Sequence, residues 1–177
     1  MFSRKDQLNK KTGIDGVGRE AFLKQLTTEF TTTRSYEAKK QTLANLANFA
    51  YDPINYEYIK QFHIIDLFLA QLSENAEELI HYALAGLCNI CCDPESRDYI
   101  ITLNGVKLVA QFLCHPNEEI ALNSLTTLFY LLQGQGENEL SEDLQSKISE
   151  YSTHSNPRFR NLGVLFLDTY GLPQAQQ

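Results

Sequence analysis

With 177 residues, 43% of them hydrophobic, the chain is long enough to build one core of ordinary domain size and too apolar to stay disordered over most of its length. A formal net charge of −7 and a pI near 5.1 exclude general attraction to phosphate backbones or anionic lipid heads, so nucleic acid is expected to be held locally or through a partner. Apolar stretches such as 63–72 are interrupted by Asp66 and Gln71 and fall short of the roughly 18–20 residues of a membrane span. Met1-Phe2-Ser3-Arg4-Lys5-Asp6 has no apolar run behind it, and Cys88, Cys91, Cys92 and Cys114 lack the spacing of a disulfide framework, so a cytosolic or nuclear chain with reduced thiols is expected.

Residues 1–18 read as a flexible lead-in carrying Arg4, Lys5, Lys10 and Lys11, with Arg19 just beyond it. Its glycines, Gly13, Gly16 and Gly18, lack the preceding strand that a phosphate-cradling loop requires. Residues 19–171 are expected to form a single domain, with 172–177 as a tail. Within it, helices are predicted over 19–30 and 35–51, then 54–61, 64–72 and 76–91, then 95–103, 105–113 and 117–132, and finally 138–151 and 157–170. Capping chemistry marks the starts. Asp52-Pro53, Asp93-Pro94 and Asn156-Pro157 each place an oxygen acceptor at the N-cap and a proline at the first helical position, where its missing N–H costs nothing. Asn117 is followed by Glu118 and Glu119, acids where the helix dipole favours them. The glycine-bearing stretch 133–138 is expected to be a mobile loop.

Leu43-Ala44-Asn45-Leu46-Ala47-Asn48-Phe49-Ala50-Tyr51-Asp52-Pro53 matches Leu84-Ala85-Gly86-Leu87-Cys88-Asn89-Ile90-Cys91-Cys92-Asp93-Pro94 at an interval of 41 residues, and the match continues from Tyr58-Ile59 to Tyr99-Ile100. One more interval reaches Leu125-Thr126-Thr127-Leu128-Phe129-Tyr130-Leu131, and Leu162-Gly163-Val164-Leu165-Phe166-Leu167 is a degenerate fourth copy. Leu43, Leu46, Ala47 and Ala50, like Leu84, Leu87, Cys88 and Cys91, lie at i, i+3, i+4 and i+7, one face of a helix. A helical period near 40 residues is the signature of an α-solenoid. Three helices per unit with the longest last, and a glycine-started second helix in Asn104-Gly105-Val106-Lys107-Leu108-Val109, resemble armadillo repeats. The expected fold is therefore an all-α armadillo-repeat α-solenoid of about three and a half repeats of three helices.

In armadillo repeats the third helices line the binding groove, and the resemblance implies the same here. The face opposite the leucines carries Gln41, Asn45, Asn48 and Asp52 on the first such helix, Tyr82, Gly86 and Asn89 on the second, and Asn123, Thr127 and Tyr130 on the third. Asn48 and Asn89 stand where peptide-binding armadillo families place an asparagine that grips a peptide backbone as donor and acceptor together. The competing reading is that they satisfy backbone groups between repeats; Tyr82 and Tyr130 likewise read as contacts or as packing. Ala44 and Ala85 occupy the position one turn earlier where import receptors carry tryptophan, which weighs against basic targeting signals as ligands. Arg158 and Arg160 at the start of the last helix are a candidate contact for phosphate or an acidic partner, set against a solvated helix end. So short a stack is expected to seat a compact partner or a short tail.

Cys88-x-x-Cys91-Cys92, with Cys114-His115, is the one pattern that points to a metal or thiol site. Cys88 and Cys91 fall where Ala47 and Ala50 fall one copy earlier, which favours small buried hydrophobes, and no metal or cofactor is expected. His63, His81, His115 and His154 have no serine or carboxylate at a recognisable motif spacing, so catalysis is not expected.

The repeated string around Asn48, with Asn55-Tyr56-Glu57-Tyr58, Gly86-Leu87-Cys88-Asn89, His115-Pro116-Asn117-Glu118-Glu119 and Arg160-Asn161-Leu162, resembles the armadillo repeat-containing protein 7 family over about residues 20–170. The resemblance implies a nuclear scaffold of the minor spliceosome that acts in pre-mRNA splicing. It also implies a partner, an RNA-recognition-motif protein (RNA-binding motif protein 48), at the capped 5′ end of a small nuclear RNA that is itself contacted indirectly. An acidic scaffold suits a basic RNA-binding partner. The groove from Asn45 to Tyr130 is the expected contact, with Arg158 and Arg160 secondary. The alternatives are a peptide adaptor of the import-receptor kind and a thiol or metal protein.

Overall fold

The computed structural model describes Phe2 and residues 18–172; Arg4, Lys5, Lys10 and Lys11 of the basic lead-in, and the tail from residue 173, lie outside the described residues. Among these, ten α-helices and no strands occur: α1 (Arg19–Thr32), α2 (Tyr36–Phe49), α3 (Tyr56–Gln61), α4 (Ile64–Gln71), α5 (Glu77–Ile90), α6 (Pro94–Thr102), α7 (Gly105–Ala110), α8 (Glu118–Leu131), α9 (Glu142–Tyr151) and α10 (Pro157–Tyr170). They group as the period requires: a pair, two triplets α3–α5 and α6–α8, and a closing pair. The chain divides into two compact units, Met1–Ile90 with α1–α5 and Cys91–Gln177 with α6–α10.

In the first unit α2 packs against α1 and α5, and α5 against α4. The repeat face Leu43, Leu46, Ala47 and Ala50 is buried, and Leu84, Leu87 and Ile90 of α5 are fully so. Each fully buried leucine contributes roughly 1.5–3 kcal/mol of transfer free energy. In the second unit α8 packs on α6, α7 and α10, and α9 on α10, around Ile120, Leu125, Leu128, Ile148 and Phe166.

The caps read from the sequence hold their helices. Asp93 accepts from the Ser96 N–H at 3.0 Å and its hydroxyl at 2.7 Å, Asn117 from the Glu119 N–H at 3.1 Å, and Asn156 from the Arg158 N–H at 3.0 Å. Two expectations change. Asp52-Pro53 opens a 3-10 turn, Pro53–Asn55, and α3 starts only at Tyr56. The reason is Asn55: it is fully buried and its Nδ2 donates to the Phe49 carbonyl at 2.7 Å, drawing the first turn back toward the end of α2. The stretch expected as a mobile loop winds into a 3-10 helix, Gly134–Glu139, and α9 begins behind the cap Ser141.

Two corners share one geometry. His63 (φ 54°) and Asn104 (φ 58°) occupy the left-handed region just before α4 and α7, a conformation that asparagine and histidine tolerate better than most residues. Gly105 then starts α7 so close to α6 that an added Cβ would lie 2.2 Å from Ile100 Cγ2 and 2.6 Å from the Ile100 carbonyl oxygen. The glycine start of this second helix is thus a steric requirement. Gly105→Ala is expected to destabilise the chain by about 1–3 kcal/mol, read as a lower urea midpoint at unchanged m-value.

Candidate functional site

On α2 of the first unit, Gln41 and Asn45 lie one turn apart, and Gln41 Nε2 donates to Asn45 Oδ1 at 3.3 Å. Asn48 continues the same face and is exposed. Asp52, at the end of that stripe, caps the following turn: its Oδ1 accepts from the Ile54 N–H at 3.4 Å.

Asn89, the aligned residue on α5, has a different role. Its Nδ2 donates to the Ala47 carbonyl at 3.0 Å. That carbonyl belongs to the last turn of α2, where the Tyr51 N–H bonds to Asn48 O instead. Helix C-termini leave such carbonyls without intrahelical donors, and Asn89 supplies one while tying α5 to α2. Of the two readings open for the asparagines, Asn89 follows the structural one and Asn48 faces solvent.

The remaining stripe residues are also sorted by burial. Gly86 is buried, and a Cβ there would lie 2.4 Å from the Phe68 ring, because α4 covers that side of α5. Tyr82 is half-buried, edge-on to His81 at 5.2 Å. In the second unit Thr127 is fully buried with its hydroxyl donating to the Asn123 carbonyl at 2.7 Å, while Asn123 and Tyr130 are half-buried on α8. Gly86 and Thr127 are therefore packing positions, not part of an open face.

Arg158 and Arg160 are tied inside the second unit. Arg158 forks onto Glu119 at 2.5 and 3.2 Å, and the hydrogen bond to that carboxylate holds the guanidinium still further above its ordinary range. Arg160 Nη1 donates to the carbonyls of His154 (2.9 Å) and Ser155 (3.2 Å), closing the loop ahead of α10.

Several polar ties escaped the sequence reading. His115 Nδ1 accepts from the N–H of the N-cap Asn117 at 3.1 Å, His154 Nδ1 from that of the N-cap Asn156 at 3.1 Å, and Thr33 Oγ1 from that of the N-cap Ser35 at 3.2 Å. An acceptor two residues ahead of a cap, recurring before three of the long helices, is a signal the sequence does contain. The Tyr151 hydroxyl donates to the Leu113 carbonyl and the Tyr170 hydroxyl to the Phe129 carbonyl at 2.6 Å; burial pushes both phenols up to about 12. In the first unit Lys40 and Tyr36 reach Glu78 at 3.2 and 3.1 Å and hold its carboxyl below the usual range.

His63 does meet a carboxylate, Asp66 at 3.7 Å, but as a surface pair at the start of α4. Cys91 is fully buried like Ala50, Cys88 is half-buried, and Cys92 and Cys114 are exposed. Among the described residues no three His, Cys, Asp or Glu side chains gather as metal ligands, and no helix is long and apolar enough to cross a membrane.

The period, the caps and the three-helix units define an armadillo-repeat protein-binding scaffold, and residues 93–133, spanning α6–α8, match the family model of the armadillo/beta-catenin-like repeat. Armadillo repeat-containing protein 7 of Mus musculus is 42% identical over 160 residues, covering 89% of this chain and 81% of the mouse protein. The chain belongs to the armadillo repeat-containing protein 7 family. Its fold is shared with an engineered protein (TM-score 0.74, 17% identity, 87% of this chain and 68% of that one). It is shared too with a computationally designed armadillo repeat protein for modular peptide recognition (TM-score 0.72, 19% identity, 82% and 63%). A designed armadillo repeat protein in complex with peptide (KR)4 is a third such neighbour (TM-score 0.67, 14% identity, 86% and 70%).

Asn89→Ala is expected to lower stability by about 1–3 kcal/mol, because it strands the Ala47 carbonyl, whereas Asn48→Ala should stay within about 0.5 kcal/mol; paired urea melts separate the two. Glu78 has a lowered pKa, so its contribution is present above the unfolded carboxylate range and is lost as pH falls through the depressed value. The melting difference between the wild type and Glu78→Gln should therefore be visible at pH 7 and shrink toward zero on acidification below about 4.

Proposed function

We propose that the chain is a non-catalytic nuclear scaffold of the minor spliceosome. In this reading it binds an RNA-recognition-motif protein of the RNA-binding motif protein 48 type, and through it the capped 5′ end of a small nuclear RNA. The observation that carries the reading is family membership across nearly the whole chain. The charge of −7 supports it, since a protein of that sign holds RNA poorly but attracts a basic RNA-binding partner. The contact is assigned first to the α2 face of Gln41, Asn45 and Asn48, whose amides offer donors and acceptors to a polypeptide. Asn123 and Tyr130 on α8 present similar chemistry in the second unit. Ala44 and Ala85 leave the import-receptor alternative without its tryptophans.

Affinity purification of the tagged full chain from nuclear extract tests this. Splicing factors that include an RNA-recognition-motif protein are expected. Gln41→Ala with Asn48→Ala should weaken retention of that protein roughly tenfold while leaving the melt unchanged, as for polar contacts near the centre of an interface. Recovery of transport cargo in place of splicing factors would rule the reading out, and unaltered retention by the double variant would remove the α2 face from it.

A further inference from the structure

In the second unit the ends of α7 and α9 and the starts of α8 and α10 enclose a cavity of about 360 Å³. Its floor is apolar, because Leu113, Ala121 and Phe159 among the lining residues are buried. One wall is aromatic. The Tyr151 ring stacks on Phe159 with 5.1 Å between centroids and 15° between planes, and the His154 ring lies 4.8 Å from Phe159 and 5.9 Å from Tyr151. Exposed Glu118 and Glu150 stand at the lip.

The charges around the opening leave it negative. Lys147, the one lysine or arginine among the described lining residues, is paired with Asp143 at 2.8 Å. His115 and His154 each accept a backbone N–H at Nδ1. Arg158 is forked onto Glu119 and Arg160 Nη1 is committed to two loop carbonyls; neither lines the cavity. Glu118 gives one oxygen to Asn156 Nδ2 at 2.9 Å.

An apolar floor, a ring wall and a carboxylate lip suit one ligand shape, a planar cation on an aliphatic stem. A guanidinium stacks on aromatic faces and forks onto carboxylates, where an ammonium does neither as well. We propose that this cavity seats an arginine side chain of a protein partner. The assignment rests on the second unit alone and holds whichever protein occupies the α2 face.

Titration of the isotope-labelled full chain with Nα-acetyl-arginine amide, followed by amide chemical shifts, tests it. Saturable shifts confined to residues 113–121 and 147–159 are expected, with Kd on the order of 1 mM, the scale for a ligand of so few atoms. Glu118→Gln with Glu150→Gln, both surface changes whose folding a melt verifies, should weaken binding roughly tenfold. Nα-acetyl-lysine amide should bind more weakly than the arginine derivative. The proposal is overturned by the absence of saturable shifts, by equal shifts from the uncharged norleucine derivative, by stronger shifts from the glutamate derivative, or by undiminished binding in the double variant.

Discussion

A long helix in a three-helix unit leaves two needs unmet: an apolar face, and carbonyls in its last turn that lack intrahelical donors. A neighbour one period along meets both. Within the first unit α5 covers the leucine face of α2, and its Asn89 donates to Ala47, 42 residues earlier. Within the second, α10 covers α8, and Tyr170 donates to Phe129, 41 residues earlier. Tyr151 makes a comparable tie to the Leu113 carbonyl, in the turn that follows α7, across 38 residues. Each such bond adds only about 1 kcal/mol net, but its loss strands a shielded carbonyl and costs about 1–3 kcal/mol. The period visible in the sequence is thus the spacing at which these ties close.

What the sequence made legible was the chemistry that acts locally. Asp93, Asn117 and Asn156 cap the helices predicted from them, because an N-cap needs only its own next turn. Where a distant group intervenes, the reading shifts. Asn55 reaches back to Phe49 and turns an expected α-helical start into a 3-10 turn. The polar stripe came from helical periodicity, which separates two faces of one helix but does not say which neighbour covers either. Gly86 faces Phe68, and the missing side chain was the trace of that close approach. His115 and His154 have no carboxylate or serine at a motif spacing; their partners are the backbone N–H groups of the caps two residues on.

The consequence for function is that aligned residues are not equivalent. Asn48 and Asn89 stand at the same place in the repeat, yet one faces solvent and the other closes a helix end. A scaffold of few repeats has little surface to give, because within each unit polar side chains are used to bond one helix to the next. On α2 the exposed amides are those of Gln41 and Asn48, with Asn45 half-buried between them. The second unit holds the acid-lipped cavity; Arg158, exposed and forked onto Glu119, and Arg160, bonded to the His154 carbonyl, brace the start of α10.

A photo-crosslinking residue placed at position 48 of the full chain, irradiated in intact nuclei, tests the central claim most directly, with the same residue at Gln61 on α3 as the comparison. A covalent adduct with an RNA-recognition-motif protein is expected from position 48 and none from position 61. No adduct from position 48, or the same adducts from both positions, would contradict it.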